Sequence, residues 1–344
     1  MRAVRRVRTV LAVSHLEQDA AHAAFFIVLA GVLAAGALGG IVATTTGVDA
    51  LTRRLVSPHW AWLAVAFGAT VVSYLGYVLA YRETARVDDG PELPFRHVGA
   101  LVMGGFGLFI PRGGFALDVE ALALRGVSPR EARVKVLSLS TLEYAVLAPA
   151  AFVVAIVLMT RSWPAELSVR LSWAIGVPVG AAIALWLLRH RHSFRRAGGW
   201  RGHLAHGLDA IAHTMRLWRR PHSGLLAFLG MAVYWAADIF ALWACVAVFA
   251  RESARPGAAA IVLAYATGYA LTRRALPLAG AGAVEALLPF ALLWTGVALA
   301  TAVLAVFAYR VFNLWLPLLP AAVAVLLLRR DQVARDVRAR RRAA

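Results

Sequence analysis

Thr272-Arg273-Arg274-Ala275-Leu276-Pro277-Leu278-Ala279-Gly280-Ala281-Gly282-Ala283-Val284-Glu285 is the stretch on which the reading of the chain turns. Apolar, helix-length sequence flanks it on both sides, yet it carries two arginines, a proline, two glycines and a carboxylate. A charge at the bilayer centre costs roughly 3 kcal/mol on insertion scales. Pro277 and the glycines would interrupt a helix at about the same depth. Lipid tolerates such a break only where protein or a water-filled cavity satisfies the freed backbone groups. The stretch therefore marks a functional site within the membrane.

Composition agrees with that setting. The 344 residues are 61% hydrophobic and only 16% charged, which excludes an ordinary soluble domain and fits an all-α polytopic membrane protein. A helical span takes about 20 apolar residues, and several stretches qualify. The formal net charge is +18, and Lys135 is the sole lysine, so the positive charge is almost wholly arginine. These arginines cluster between apolar spans and read as topology determinants and anionic-lipid contacts. No basic, aromatic-interleaved soluble domain exists to bind nucleic acid. Cys245 is the only cysteine, so neither an intrachain disulfide nor a thiolate cluster can form. No cofactor or metal is expected, because the loop histidines lack ligand spacing and no phosphate-binding Gly-x4-Gly-Lys-Ser/Thr loop exists.

Residues 1–22 form a basic segment, and the absence of a cleavage pattern after it keeps the first span, about 23–43, in the expected protein. Further spans are expected at about 59–81, 136–159, 171–188, 225–250 and 301–328. Residues 189–223 form a basic loop, with eight arginines and five histidines between Arg189 and Arg220. Part of it, around 204–217, has the pattern of an amphipathic surface helix. The tail 329–344 is again basic. Positive-inside counting places the N-terminus, this loop and the tail in the cytoplasm of a multi-pass cell-membrane protein. The membrane halves are then 23–188 and 224–328. Each contains a broken hairpin, near 98–120 and near 257–299. Six full spans with two re-entrant hairpins satisfy the count, and so does a topology in which one or both hairpins cross completely. Ser128-Pro129 reads as the cap and first position of a helix.

The two breaks resemble one another. Pro111-Arg112-Gly113-Gly114 precedes Val119-Glu120-Ala121-Leu122 and then Gly126-Val127; Pro277, Gly280 and Gly282 precede Val284-Glu285-Ala286-Leu287 and then Gly296-Val297. Repeats of opposite orientation whose broken helices meet near the midplane are a recurring transporter design. Helix N-termini after each glycine-rich break would present partial positive charge to an anion.

With these residues in view, the chain resembles the flippase-like transmembrane domain of lysylphosphatidylglycerol synthases and its stand-alone relatives. Leu276-Pro277, Gly280, Gly282 and Glu285, then Gly296-Val297, Arg310 and Leu316-Pro317, occupy the places of the family's second motif. Pro111, Gly113, Gly114 and Gly126-Val127-Ser128 match the first. The likeness spans roughly 25–330, with Ala279 where the family pattern has a second proline. It implies translocation of a lipid between leaflets and no lysyl transfer, since no long soluble stretch follows Leu328.

The candidate substrate-binding residues are accordingly Pro111, Arg112, Gly113, Gly114, Glu120, Arg273, Arg274, Pro277, Gly280, Gly282, Glu285 and Arg310. Guanidinium groups suit phosphate, and Glu285 is expected to pair with Arg273, Arg274 or Arg310. Glu143 and Asp238, isolated carboxylates within spans, are candidates for a proton relay or for pairing with an arginine. The expected partners are membrane lipids with anionic head groups, alongside a separate lipid-modifying enzyme. A membrane glycosyltransferase or lipid-modifying enzyme using Glu285 or Glu120 as base, and a non-catalytic lipid-binding scaffold, are the other classes the sequence admits; no catalytic motif of specific spacing favours the former.

Overall fold

The computed structural model describes residues 58–88, 90–106, 113–160, 165–191, 200–270 and 283–318, with a few separate positions near either end of the chain. The described residues are helical throughout. They form α1 (Ala61–Ala85), α2 (Phe95–Phe106), α3 (Gly113–Ala123), α4 (Pro129–Thr160) and α5 (Leu167–Arg189), then α6 (Trp200–Trp218), α7 (Pro221–Phe249), α8 (Ala258–Tyr265), α9 (Ala283–Trp294) and α10 (Leu299–Arg310). α1, α4, α5 and α7 are long and apolar enough to cross a membrane. The first starts and stops close to the expected 59–81, and the others close to 136–159, 171–188 and 225–250.

The centre of the molecule is the pair α1 and α7. His59 N donates to Val248 O at 3.0 Å, Trp62 meets Trp243 edge-on, and Tyr77 meets Tyr234, so rising numbers on one helix meet falling numbers on the other. The two helices are antiparallel. Their closest approach is at Gly76 and Gly230: a Cβ on Gly76 would lie 2.7 Å from both Gly230 O and Tyr234 N. With no hydrophobic force between helices in lipid, small residues that let backbones touch supply the association.

The turns between the short helices obey one rule. Gly126 (φ 88°) and Gly296 (φ 95°) adopt the left-handed conformation that glycine takes without a Cβ penalty. Gly126 N donates to Ala123 O and Val127 N to Leu122 O; Gly296 N donates to Leu293 O and Val297 N to Leu292 O. Both are Schellman closures, in which the Gly-Val pair satisfies the last helix carbonyls. The next helix begins at Pro129 in one case and Leu299 in the other. At Pro129, Glu131 N donates to Ser128 Oγ at 3.3 Å, the cap read from the sequence.

The two turns sit at opposite ends of α4. Gly126 leads directly into its N-terminus, whereas Trp294 O accepts a hydrogen bond from Glu166 N, beyond its C-terminus. α4 has 32 residues and rises about 48 Å, more than the roughly 30 Å hydrocarbon core. α6 packs against its N-terminal part, where Thr214 Oγ1 donates to Ser138 O at 3.1 Å. The amphipathic stretch expected at 204–217 thus buries Leu208, Ala210, Ala212 and Leu217 against protein. α5 is different, since among its residues only Val169 is buried, leaving an apolar face for lipid.

Candidate functional site

α9, in the hairpin expected near 257–299, and α10, at the start of the span expected at 301–328, bring two of the expected residues together. Glu285 stands in the first turn of α9 and Arg310 ends α10. A carboxylate near a helix N-terminus complements the helix dipole. Arg310 Nε donates to Glu285 Oε1 at 2.5 Å, with Arg310 1% and Glu285 7% exposed. α9 and α10 are 12 residues each, so the pair lies about 17 Å from the Gly296 turn, near half the thickness of a bilayer core. Of the three arginines offered to Glu285, Arg310 makes this pair. Arg273 and Arg274 lie outside the described residues, as do Pro111, Arg112, Pro277, Gly280 and Gly282.

A second buried carboxylate lies alongside. Asp238, fully buried at the middle of α7, accepts from Tyr265 Oη at Oδ2, from Tyr309 Oη at Oδ2 (3.0 Å) and from Asn313 Nδ2 at Oδ1 (3.0 Å). Tyr74 Oη, on α1, donates to Asn313 O at 3.3 Å. Three donors on one carboxylate offset the cost of removing it from water. Tyr265 and Arg310 each immediately precede a π-helical turn, Ala266–Ala270 and Val311–Trp315. Single π turns inside helices recur at functional sites. Here the second one carries Asn313 to the carboxylate.

Glu143, on α4, completes a chain of polar groups through the core. Tyr77 Oη donates to Glu143 Oε1 at 2.8 Å, and Trp235 Nε1 donates to Glu143 O at 2.9 Å. The Trp235 ring meets Tyr265 edge-on at 5.7 Å, linking this group to Asp238. The carboxylates expected to serve a relay or to pair with arginine are therefore held by tyrosine hydroxyls from α1, α8 and α10. Nothing in the sequence marked Tyr77, Tyr265, Tyr309 or Asn313 for this role, because tyrosines in apolar spans read equally well as interface anchors.

The first hairpin differs. Gly113 and Gly114 open α3, and Glu120 is exposed on it, whereas Asp118 two residues earlier is buried. Counting back from each turn glycine, Glu285 stands opposite Phe115, and Glu120 opposite Phe290. Counted from these glycines, the two copies of Val-Glu-Ala-Leu fall at different places on α3 and α9. Counting forward, Arg310 stands opposite Ser140. Neither of these two positions in the first half, Phe115 and Ser140, carries a charge. Among the described residues no group of three or more His, Cys, Asp or Glu side chains could hold a metal ion.

A helical chain with four helices long and apolar enough to cross a membrane, and with a buried ion pair between α9 and α10, is a membrane-embedded protein of the flippase-like class. The chain belongs to the lysylphosphatidylglycerol synthase TM region family, whose model matches residues 27–321. No curated protein matches the chain.

Proposed function

We propose that this chain moves an anionic phospholipid or lipid-linked intermediate between leaflets, using two halves of inverted orientation. Family membership supports this, and so does the architecture. α1 and α7 open corresponding series of long, short and short helices and run antiparallel, and the equivalent Gly126 and Gly296 turns lie at opposite ends of α4. The end carrying α6 and its arginines faces the cytoplasm in this reading.

The observation that carries the proposal is the Glu285–Arg310 pair at half depth, beside the network on Asp238. A head group crossing the bilayer needs a polar station there. Arg310 exchanges Glu285 for a lipid phosphate, while the stretch 272–282 supplies Arg273 and Arg274. Glu285 balances the cations between passages, and its protonation releases Arg310. The test is leaflet exchange of labelled anionic phospholipids and polyprenyl phosphates in liposomes containing the pure protein. Exchange is expected with the native chain and lost with Glu285→Gln. No exchange with any of these lipids, by protein shown to be folded, would refute the proposal.

A further inference from the structure

A second charged cluster, at the end of the molecule that carries α6, is not used by the buried pair. Asp88, in the loop after α1, reaches across to α6 and the start of α7. Arg216 Nε and Nη2 each lie 3.1 Å from Asp88 Oδ2, Arg220 Nη2 lies 3.7 Å from Oδ1, and His213 Nε2 lies 3.8 Å from Oδ2. The Asp88 backbone is left-handed, with φ 54°, an uncommon conformation that aspartate tolerates better than most residues.

His213 is 2% exposed, and neither of its ring nitrogens makes a hydrogen bond. A buried polar group in that condition is costly unless a partner visits it. Burial, and next the Lys135 charge, lower its pKa to about 4, so it is neutral at pH 7 and can donate from one nitrogen only. Behind it Lys135, buried on α4, donates to Ala85 O at 3.2 Å and to Val87 O, and lies 3.6 Å from Glu131. Two permanent cations, Arg216 and Arg220, and Lys135, whose pKa burial lowers, thus face two carboxylates, Asp88 and Glu131.

Both arginine side chains are about half exposed, at 49% and 50%. Trp218 beside them is 72% exposed, the placement of an aromatic at the head-group level of a membrane. A small pocket with room for about one water, lined by Tyr81, Leu122, Lys135, Val136 and Leu139 among others, opens next to Lys135.

We propose that Arg216, Arg220 and His213 form a phosphate site for an anionic lipid head group, and that Asp88 is its built-in competitor, displaced when the phosphate docks. Two arginines match a phosphate in geometry as they match a carboxylate. The phosphate also accepts the hydrogen bond that His213 otherwise leaves unmade, since Asp88 lies 3.8 Å away. This site binds lipid whether or not the chain translocates it, so a binding experiment separates the two proposals.

The test is native mass spectrometry of the purified full chain titrated with phosphatidylglycerol, with phosphatidylcholine as the uncharged-balance control. Arg216→Gln/Arg220→Gln removes two charge-assisted contacts and is expected to weaken phosphatidylglycerol binding at least about tenfold. Asp88→Asn removes the competitor and is expected to tighten it severalfold, an outcome that a merely structural role for Asp88 does not produce. Thermal unfolding in detergent checks that each variant is folded, and Arg216→Lys/Arg220→Lys, which keeps the charge, is expected to bind between the two. Unchanged or weaker binding by folded Asp88→Asn overturns the proposal, as does native-like binding by the double glutamine variant. Full competition by millimolar inorganic phosphate would assign the site to free phosphate and overturn the lipid assignment.

Discussion

Removing one member of the Glu285–Arg310 pair should be far more damaging than removing both. The two side chains are 9% and 1% exposed and joined at 2.5 Å, so each is a charge that the membrane interior would otherwise reject. Deleting one partner of a buried pair costs about 3–5 kcal/mol, because the other is left uncompensated. Glu285→Gln and Arg310→Gln are each expected to lose that amount. The double variant leaves neither partner behind as an uncompensated charge, and its loss should fall at least about 2 kcal/mol short of the sum of the single losses. The assay is denaturant unfolding of the purified protein in mixed micelles, followed by tryptophan fluorescence, over the four members of the double-mutant cycle. Additive losses, or a Glu285→Gln variant as stable as the native chain, would show that the pair is not energetically coupled and would remove the basis for treating it as an exchangeable partner of a head group.

Three further outcomes are expected. Gly76→Ala forces a Cβ to 2.7 Å from the α7 backbone and should cost about 1–3 kcal/mol by separating α1 from α7; Gly68→Ala, on the same helix with nothing within 4 Å, should cost nothing in the same unfolding assay. Gly126→Ala and Gly296→Ala each place a Cβ at positive φ and should cost about 1–2 kcal/mol, with the two losses additive because the turns lie at opposite ends of α4. His213, whose pKa is lowered by burial from 6.5 to about 4, takes up its proton more readily in the unfolded chain. Stability is therefore full above pH 6.5 and falls as the pH drops toward 4, and His213→Gln should flatten that part of a thermal-stability profile measured against pH.

The spans were legible because length and hydropathy alone fix what can cross a bilayer: four expected segments reappear as α1, α4, α5 and α7. The cap at Ser128-Pro129 was legible because it rests on chemistry within a few residues. The Gly126-Val127 and Gly296-Val297 pairs stood out as a repeat, and the Schellman closures supply the reason. Counted from those glycines, the tetrapeptides around Glu120 and Glu285 fall at different places on α3 and α9. In a chain so rich in Ala, Leu and Val, four identical letters carry less information than one glycine that the backbone requires.

The candidate site divides the same way. The sequence by itself determined that Glu285, Arg310, Glu143 and Asp238 had to be explained, because a charge in an apolar span is expensive wherever it falls. Which group answers each of them was decided by tertiary structure. Arg310 meets Glu285 because the Gly296 turn folds α10 back along α9. Asp238 draws Tyr265, Tyr309 and Asn313 from helices far away in the chain, two of them placed beside π turns that no local pattern announces. Asp88 meets Arg216 and Arg220 only because α6 lies across α4. Hydrophobicity is a property of each residue and can be read along a line, whereas pairing is a property of distance, which packing alone sets.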